Sequence, residues 1–85
     1  MKLSKNFTLE EFIRSNTADR MGIDNVPKDE EVIKNLRNLC LEVLQPLRDY
    51  VGAPVHINSG YRCKALNLAV GGVKNSQHCR GEAAD

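Results

Sequence analysis

The chain has 85 residues, one small domain at most. Twelve Lys and Arg against eleven Asp and Glu leave a net charge of +1, so there is no global basic field to hold nucleic acid or an anionic membrane. Hydrophobic residues make up 41% and charged residues 27%, ordinary for a globular chain, and no apolar run approaches the roughly 20 residues that a membrane span needs.

The start, Met1-Lys2-Leu3-Ser4-Lys5-Asn6, carries charge with no apolar run behind it and does not read as a secretory signal. Phe7-Thr8-Leu9-Glu10-Glu11-Phe12 reads as a helix start. Thr8 and Glu11 have the spacing of a capping box, and Phe7 and Phe12 sit where a hydrophobic staple closes over it. This helix is expected to end near Ser15 or Asn16. A turn-rich segment follows, closed by Gly22 and Pro27.

The next stretch has the clearest periodicity. Val32, Leu36, Leu39, Val43, Leu47 and Tyr50 recur at steps of three and four, and Ile33, Cys40, Leu44 and Val51 widen the stripe. The spacing predicts one long helix whose apolar stripe is core. Asp29 and Glu30 suit its positive end, Gly52 stops it, and Pro46 should kink it or split off its last turn.

Val55-His56-Ile57-Asn58 alternates and reads as a strand. Ser59 to Arg62 turns out of it, Ala65 to Val70 forms a short helix ended by Gly71-Gly72, and Ser76 to Gly81 is loop-like. Glu82-Ala83-Ala84-Asp85 opens a second strand at which the sequence stops. The fold class is α+β, with N-terminal helices on a small, antiparallel and incomplete sheet that starts at Val55. An incomplete sheet exposes an edge, so self-association is expected.

Cys40, Cys63 and Cys79 are an odd number with no CxxC pair, which argues against a four-cysteine zinc module. They read as reduced thiols, with Cys40 buried on a helix face. Of the two histidines, His56 has no partner nearby in sequence. His78 lies seven residues before Asp85, with Gly81 between them. That spacing suits a loop that turns at Gly81 and re-enters as a strand in which Ala83 and Asp85 share a face. Imidazole and carboxylate are both ordinary zinc ligands, so this is two-thirds of a three-ligand catalytic site, or else a solvated polar loop. Cys79 is expected to point away from any metal on His78, because neighbours in an extended segment face opposite sides. Arg62 follows a Gly turn and carries a fork that fits a carboxylate, or is simply an exposed Arg. Ser76 either donates to the same anion or caps a turn. Asn67 either reaches a peptide amide or solvates its helix.

Ser76-Gln77-His78-Cys79-Arg80-Gly81-Glu82-Ala83-Ala84-Asp85 resembles the S-x-H-x-x-G-x-A-x-D motif of the peptidase M15 family. That family of zinc metallopeptidases includes D-alanyl-D-alanine carboxypeptidases and dipeptidases and phage L-alanyl-D-glutamate endolysins. Ile57-Asn58-Ser59-Gly60-Tyr61-Arg62 is similar to its S-G-Y-R strand end, and Leu66-Asn67-Leu68-Ala69-Val70-Gly71-Gly72 to the L-N-x-A-V-G-G stretch of its carboxypeptidase branch. Gln45-Pro46-Leu47-Arg48 sits where that branch ends its long helix.

The resemblance implies a hedgehog- and DD-peptidase-like fold, Zn2+ held by His78 and Asp85, and a substrate carboxylate held by Arg62 and Ser76 with help from Asn67. It implies a peptidoglycan stem peptide as substrate, a bacterial or phage source, and the cell wall or periplasm as the place of action. The third ligand, a His, and the general base follow the Asp in that family, and nothing follows Asp85 here. The resemblance therefore implies the N-terminal part of a carboxypeptidase-like domain over residues 1–85, with little or no hydrolysis by this chain itself. Two other classes fit the residues: a non-catalytic module that binds cell-wall peptide through Arg62 and Ser76, and a structural or redox protein that uses Cys63 and Cys79.

Overall fold

Residues 1–72 and 76–85 are described by a computed structural model of the chain. Strand β1 (Lys2–Ser4) pairs antiparallel with β2 (Phe7–Thr8), Lys2 opposite Thr8 and Ser4 opposite Phe7. This hairpin is absent from the sequence-based expectation, because two and three residues are too short to show a period. Tertiary contacts hold it. Leu3 and Phe7 are buried, and the Gln45 side chain clasps the turn. Its Oε1 accepts from the Ser4 hydroxyl at 2.7 Å and the Asn6 N–H at 2.9 Å, while its Nε2 donates to Asn6 Oδ1 at 2.8 Å.

Helix α1 (Leu9–Ile13) begins as the capping box requires. The Glu11 carboxylate accepts from the Thr8 N–H at 3.1 Å, and the Phe7 and Phe12 rings lie 6.2 Å apart between centroids. The segment expected to be only turns contains a further helix, α2 (Asn16–Met21). Ser15 caps its start by accepting from the Ala18 N–H at 3.1 Å, and Gly22 ends it at φ 65°. Those two residues supply both ends that a six-residue helix needs.

The long helix runs as α3 (Glu30–Leu39), one widened π turn (Cys40–Leu44) and α4 (Gln45–Val51), closed by Gly52 at φ 67°. The π turn is the local response to Pro46. Proline has no N–H and crowds the carbonyl four residues back. One residue earlier, the Gln45 N–H reaches the carbonyl of Cys40, five residues back, and the ladder shifts before the proline arrives.

This shift also corrects the expected core stripe. Each helical residue turns about 100°, so one extra residue in a turn rotates all later side chains off their line. Val32, Leu36 and Cys40 are buried, whereas Val43, Leu47, Val51 and Tyr50 are exposed, Tyr50 by 90%. The core is formed by Leu3, Phe7, Leu9, Phe12, Val32, Leu36, Cys40 and Ile57, with Leu44, Val55, Tyr61 and Ala84 packed partly against it.

In the second half, α5 (Lys64–Ala69) and a 3-10 turn (Gln77–Arg80) are the regular elements. The strands expected at Val55–Asn58 and Glu82–Asp85 are not formed as such. The two segments meet instead in one short contact. The Asn58 N–H donates to the Asp85 carbonyl at 2.8 Å, and the Asp85 N–H donates to the Ser59 carbonyl at 2.7 Å. Two residues thus face one, as in a β-bulge. The fold is α+β, and among the described residues its sheet is the two-stranded N-terminal hairpin. No described helix is long and apolar enough to cross a membrane.

Candidate functional site

Segment Asn58–Arg62 is the spine of the site. Gly60 is pressed onto α1, where a Cβ would lie 2.7–2.8 Å from Phe12 side-chain and backbone atoms. Only glycine permits that approach. The Gly60 carbonyl lies 2.7 Å from Nδ1 of His78, and the Arg62 N–H donates to the His78 carbonyl at 3.1 Å. Asn58 and Ser59 hold Asp85 through the bulge-like contact. One extended segment therefore positions both residues of the expected ligand pair.

The 3-10 turn fixes His78 from the other side. Ser76 Oγ accepts from the His78 N–H at 3.1 Å, and Asn35 Nδ2 on α3 donates to the Arg80 carbonyl at 2.8 Å. Gly81 ends the turn at φ 75° with α3 directly behind it, so that a Cβ would lie 2.6 Å from the Val32 carbonyl oxygen. This position needs glycine for its backbone and for its room. Ala84 then packs on the core, and the alternation of an extended chain turns Asp85 to the opposite side.

The result brings His78 Nε2 to 3.4 Å from Asp85 Oδ2. His78 is largely buried and Asp85 largely exposed, at 12% and 70% of their side chains. Because a carbonyl can only accept, the contact with Gly60 favours a proton on Nδ1, and in the neutral imidazole that leaves the Nε2 lone pair facing the carboxylate. A cation about 2.0–2.2 Å from both atoms at a tetrahedral angle would span about 3.4 Å between them. The pair thus fits the donor set and spacing of a zinc site, with the carbonyl behind the imidazole acting as the usual outer support. Among the described residues no group of three His, Cys, Asp or Glu side chains is placed to hold a metal. Cys79 belongs to no such group, and it lies in a 3-10 turn rather than in the extended segment expected.

The other expected residues divide. Arg62 lines a cavity of about 210 Å³ together with Arg14, Asn16, Ser59, Gly60 and Leu66. Its Nε is buried and has no hydrogen-bond partner among the described residues. Ser76 is buried and is engaged as the cap of the 3-10 turn, and it does not line this cavity. Asn67 is buried with its side chain packed against Gly72, also away from the cavity.

All three cysteines are free thiols, as expected. Cys40 is fully buried, and burial, with the Glu11 charge second, pushes its thiol up to about 11. Burial likewise raises the Tyr61 hydroxyl, with smaller contributions from Cys63, Cys79 and Asp29.

Sequence reasoning missed Asn25. Its buried side chain donates to the Ile13 carbonyl at 3.0 Å and the Tyr61 carbonyl at 2.9 Å, and accepts from the Cys63 N–H at 2.8 Å. It pins the chain on both sides of Arg62. No local signal marks it, because its partners lie 12, 36 and 38 residues away.

A sequence profile of the peptidase M15 family matches residues 5–85. No curated protein and no solved structure matches the chain. With nearly its whole length covered by that profile, the chain belongs to the peptidase M15 family.

Proposed function

We propose that the chain carries the ligand pair of a zinc peptidase domain acting on peptidoglycan stem peptides, as a D-Ala-D-Ala carboxypeptidase does. One observation carries this reading: Nδ1 of His78 lies 2.7 Å from the Gly60 carbonyl, and Nε2 faces Asp85 at a spacing that suits a shared cation. Zinc held there supplies Lewis-acid polarisation of a peptide carbonyl and a bound water of lowered pKa.

The chain's own residues do the holding. The Gly60 carbonyl holds the imidazole, and the contact of Asn58 and Ser59 with Asp85 holds the backbone that carries the carboxylate. The Arg62 fork takes the carboxylate of the substrate in two parallel hydrogen bonds. The Ser76 oxygen accepts from the His78 N–H, so Ser76 serves the site by holding the turn that carries His78. Asn67 contributes by holding the turn at Gly72 rather than by touching substrate. The bacterial wall or periplasm is where such a peptide is met. Among the described residues His78 and Asp85 are the two side chains that would hold the zinc.

A second reading, a module that binds wall peptide without cutting it, is favoured by the Arg62 cavity, whose lining includes neither His78 nor Asp85. Zinc titration of the wild type, His78→Ala and Asp85→Asn, in parallel with titration of a D-Ala-D-Ala peptide, separates the two. Weak zinc binding that falls by roughly 10- to 100-fold in either variant supports the peptidase reading. Peptide binding that survives His78→Ala but fails in Arg62→Ala, with zinc binding unaffected by His78→Ala, supports the binding module.

A further inference from the structure

The cavity that holds Arg62 has a second cation in its wall. Arg14 leaves the end of α1 in extended conformation and lines the same space. The remaining lining residues are neutral, and none is acidic. Ser15, Asn16 and Ser59 add polar groups to the same lining, and Leu66 and Val70 add apolar ones. Among the described residues neither Arg14 nor Arg62 is in an ion pair, whereas Arg80 is paired with Glu82. One carboxylate saturates one guanidinium fork. Two unpaired cations in one concave space therefore favour two anions over one. At about 210 Å³ the space is below the roughly 300–1,000 Å³ of pockets for larger ligands, which suits a single terminal residue.

We infer that the cavity takes a peptide end bearing two carboxylates, with Arg62 on one and Arg14 on the other, so that Arg14 sets specificity for an acidic terminal residue. This rests on the reading of Arg62 as a carboxylate holder and departs from a D-Ala end, which offers only one carboxylate. Arg14 is exposed at a helix end, so its substitution leaves the core intact.

The test is a binding titration of the chain with three N-acetylated tripeptides that differ only in the last residue: D-Glu, D-Gln or D-Lys. The wild type should bind the D-Glu peptide on the order of tenfold more tightly than the D-Gln peptide at low salt, and high salt should shrink that advantage. Arg14→Gln should bring those two peptides to equal affinity, and Arg14→Glu should move the preference to the D-Lys peptide. Equal affinities in the wild type, or a preference that survives Arg14→Gln, would overturn the inference. Inorganic phosphate binding as tightly as the D-Glu peptide would overturn it too. If the D-Gln peptide binds, and Arg62→Gln abolishes that binding, yet no preference exists, only the role of Arg14 falls. If no peptide binds, the carboxylate role of Arg62 falls with it.

Discussion

The carbonyl of Gly60 and Nδ1 of His78 lie 2.7 Å apart, and that contact joins the two halves of the motif. It requires Gly60 to sit against Phe12 and His78 to be held by the Ser76-capped turn. It orients the imidazole so that Nε2 meets Asp85. The local packing of α1 is thereby linked to the donor geometry of the site.

The two glycines that allow this packing should respond differently from a glycine in open space. Gly81→Ala combines a positive φ with a clash against the Val32 carbonyl and is expected to cost about 2–4 kcal/mol. Gly52→Ala has a positive φ but nothing within 4 Å, and should cost only about 1 kcal/mol. Gly60→Ala should both destabilise the fold and weaken zinc binding, because its Cβ meets the Phe12 backbone and displaces the carbonyl that holds His78. Urea denaturation of the three variants, with zinc titration of the third, checks the ranking.

Asn25 should matter more to the site than its place in a loop suggests. Asn25→Ala leaves two carbonyls and one N–H without their partner, at an expected cost of about 2–3 kcal/mol. Asn25→Asp keeps the acceptor for Cys63 but turns a carboxylate toward the carbonyls of Ile13 and Tyr61, and should be no better tolerated. Under conditions where Asn25→Ala remains folded, its affinity for a carboxylate-ended peptide should drop, since the clip on either side of Arg62 is gone. Unchanged stability in Asn25→Ala would contradict the role of this clip.

Cys40 gives a pH signature. Its thiol is raised in the folded chain to about 11 from an ordinary value of 9.0. Between those values the unfolded chain loses a proton that the folded chain keeps. The contribution of Cys40 is thus complete below pH 9 and lost as pH rises toward 11, by on the order of 2 kcal/mol. Thermal melts across that range should show a steeper loss in the wild type than in Cys40→Ala. In the native chain at pH 8, alkylation should modify Cys63 and Cys79 well before Cys40.

What the sequence revealed was largely what is local. The capping box of Thr8 and Glu11 and the staple of Phe7 and Phe12 form as their spacing requires. The ten-residue motif from Ser76 to Asp85 brings His78 and Asp85 within 3.4 Å of each other. Pro46 was legible as a disturbance, but its form was not: the π turn before it rotates Val43, Leu47 and Tyr50 off the core. The hairpin escaped because Gln45, some 40 residues away, closes it. Asn25 and Arg14 escaped for the same reason, since each acquires its role from segments distant in sequence. Helix α2 was within reach, because Ser15 and Gly22 are ordinary helix boundaries.

The central claim is that His78 presents Nε2 to a metal shared with Asp85. The most direct measurement is the proton–nitrogen NMR spectrum of the His78 imidazole at neutral pH, recorded before and after zinc is added. The account predicts the Nδ1–H tautomer in the free chain, and a zinc-dependent shift of the Nε2 resonance that is much reduced in Asp85→Asn. An Nε2–H tautomer whose resonances zinc leaves in place would contradict it.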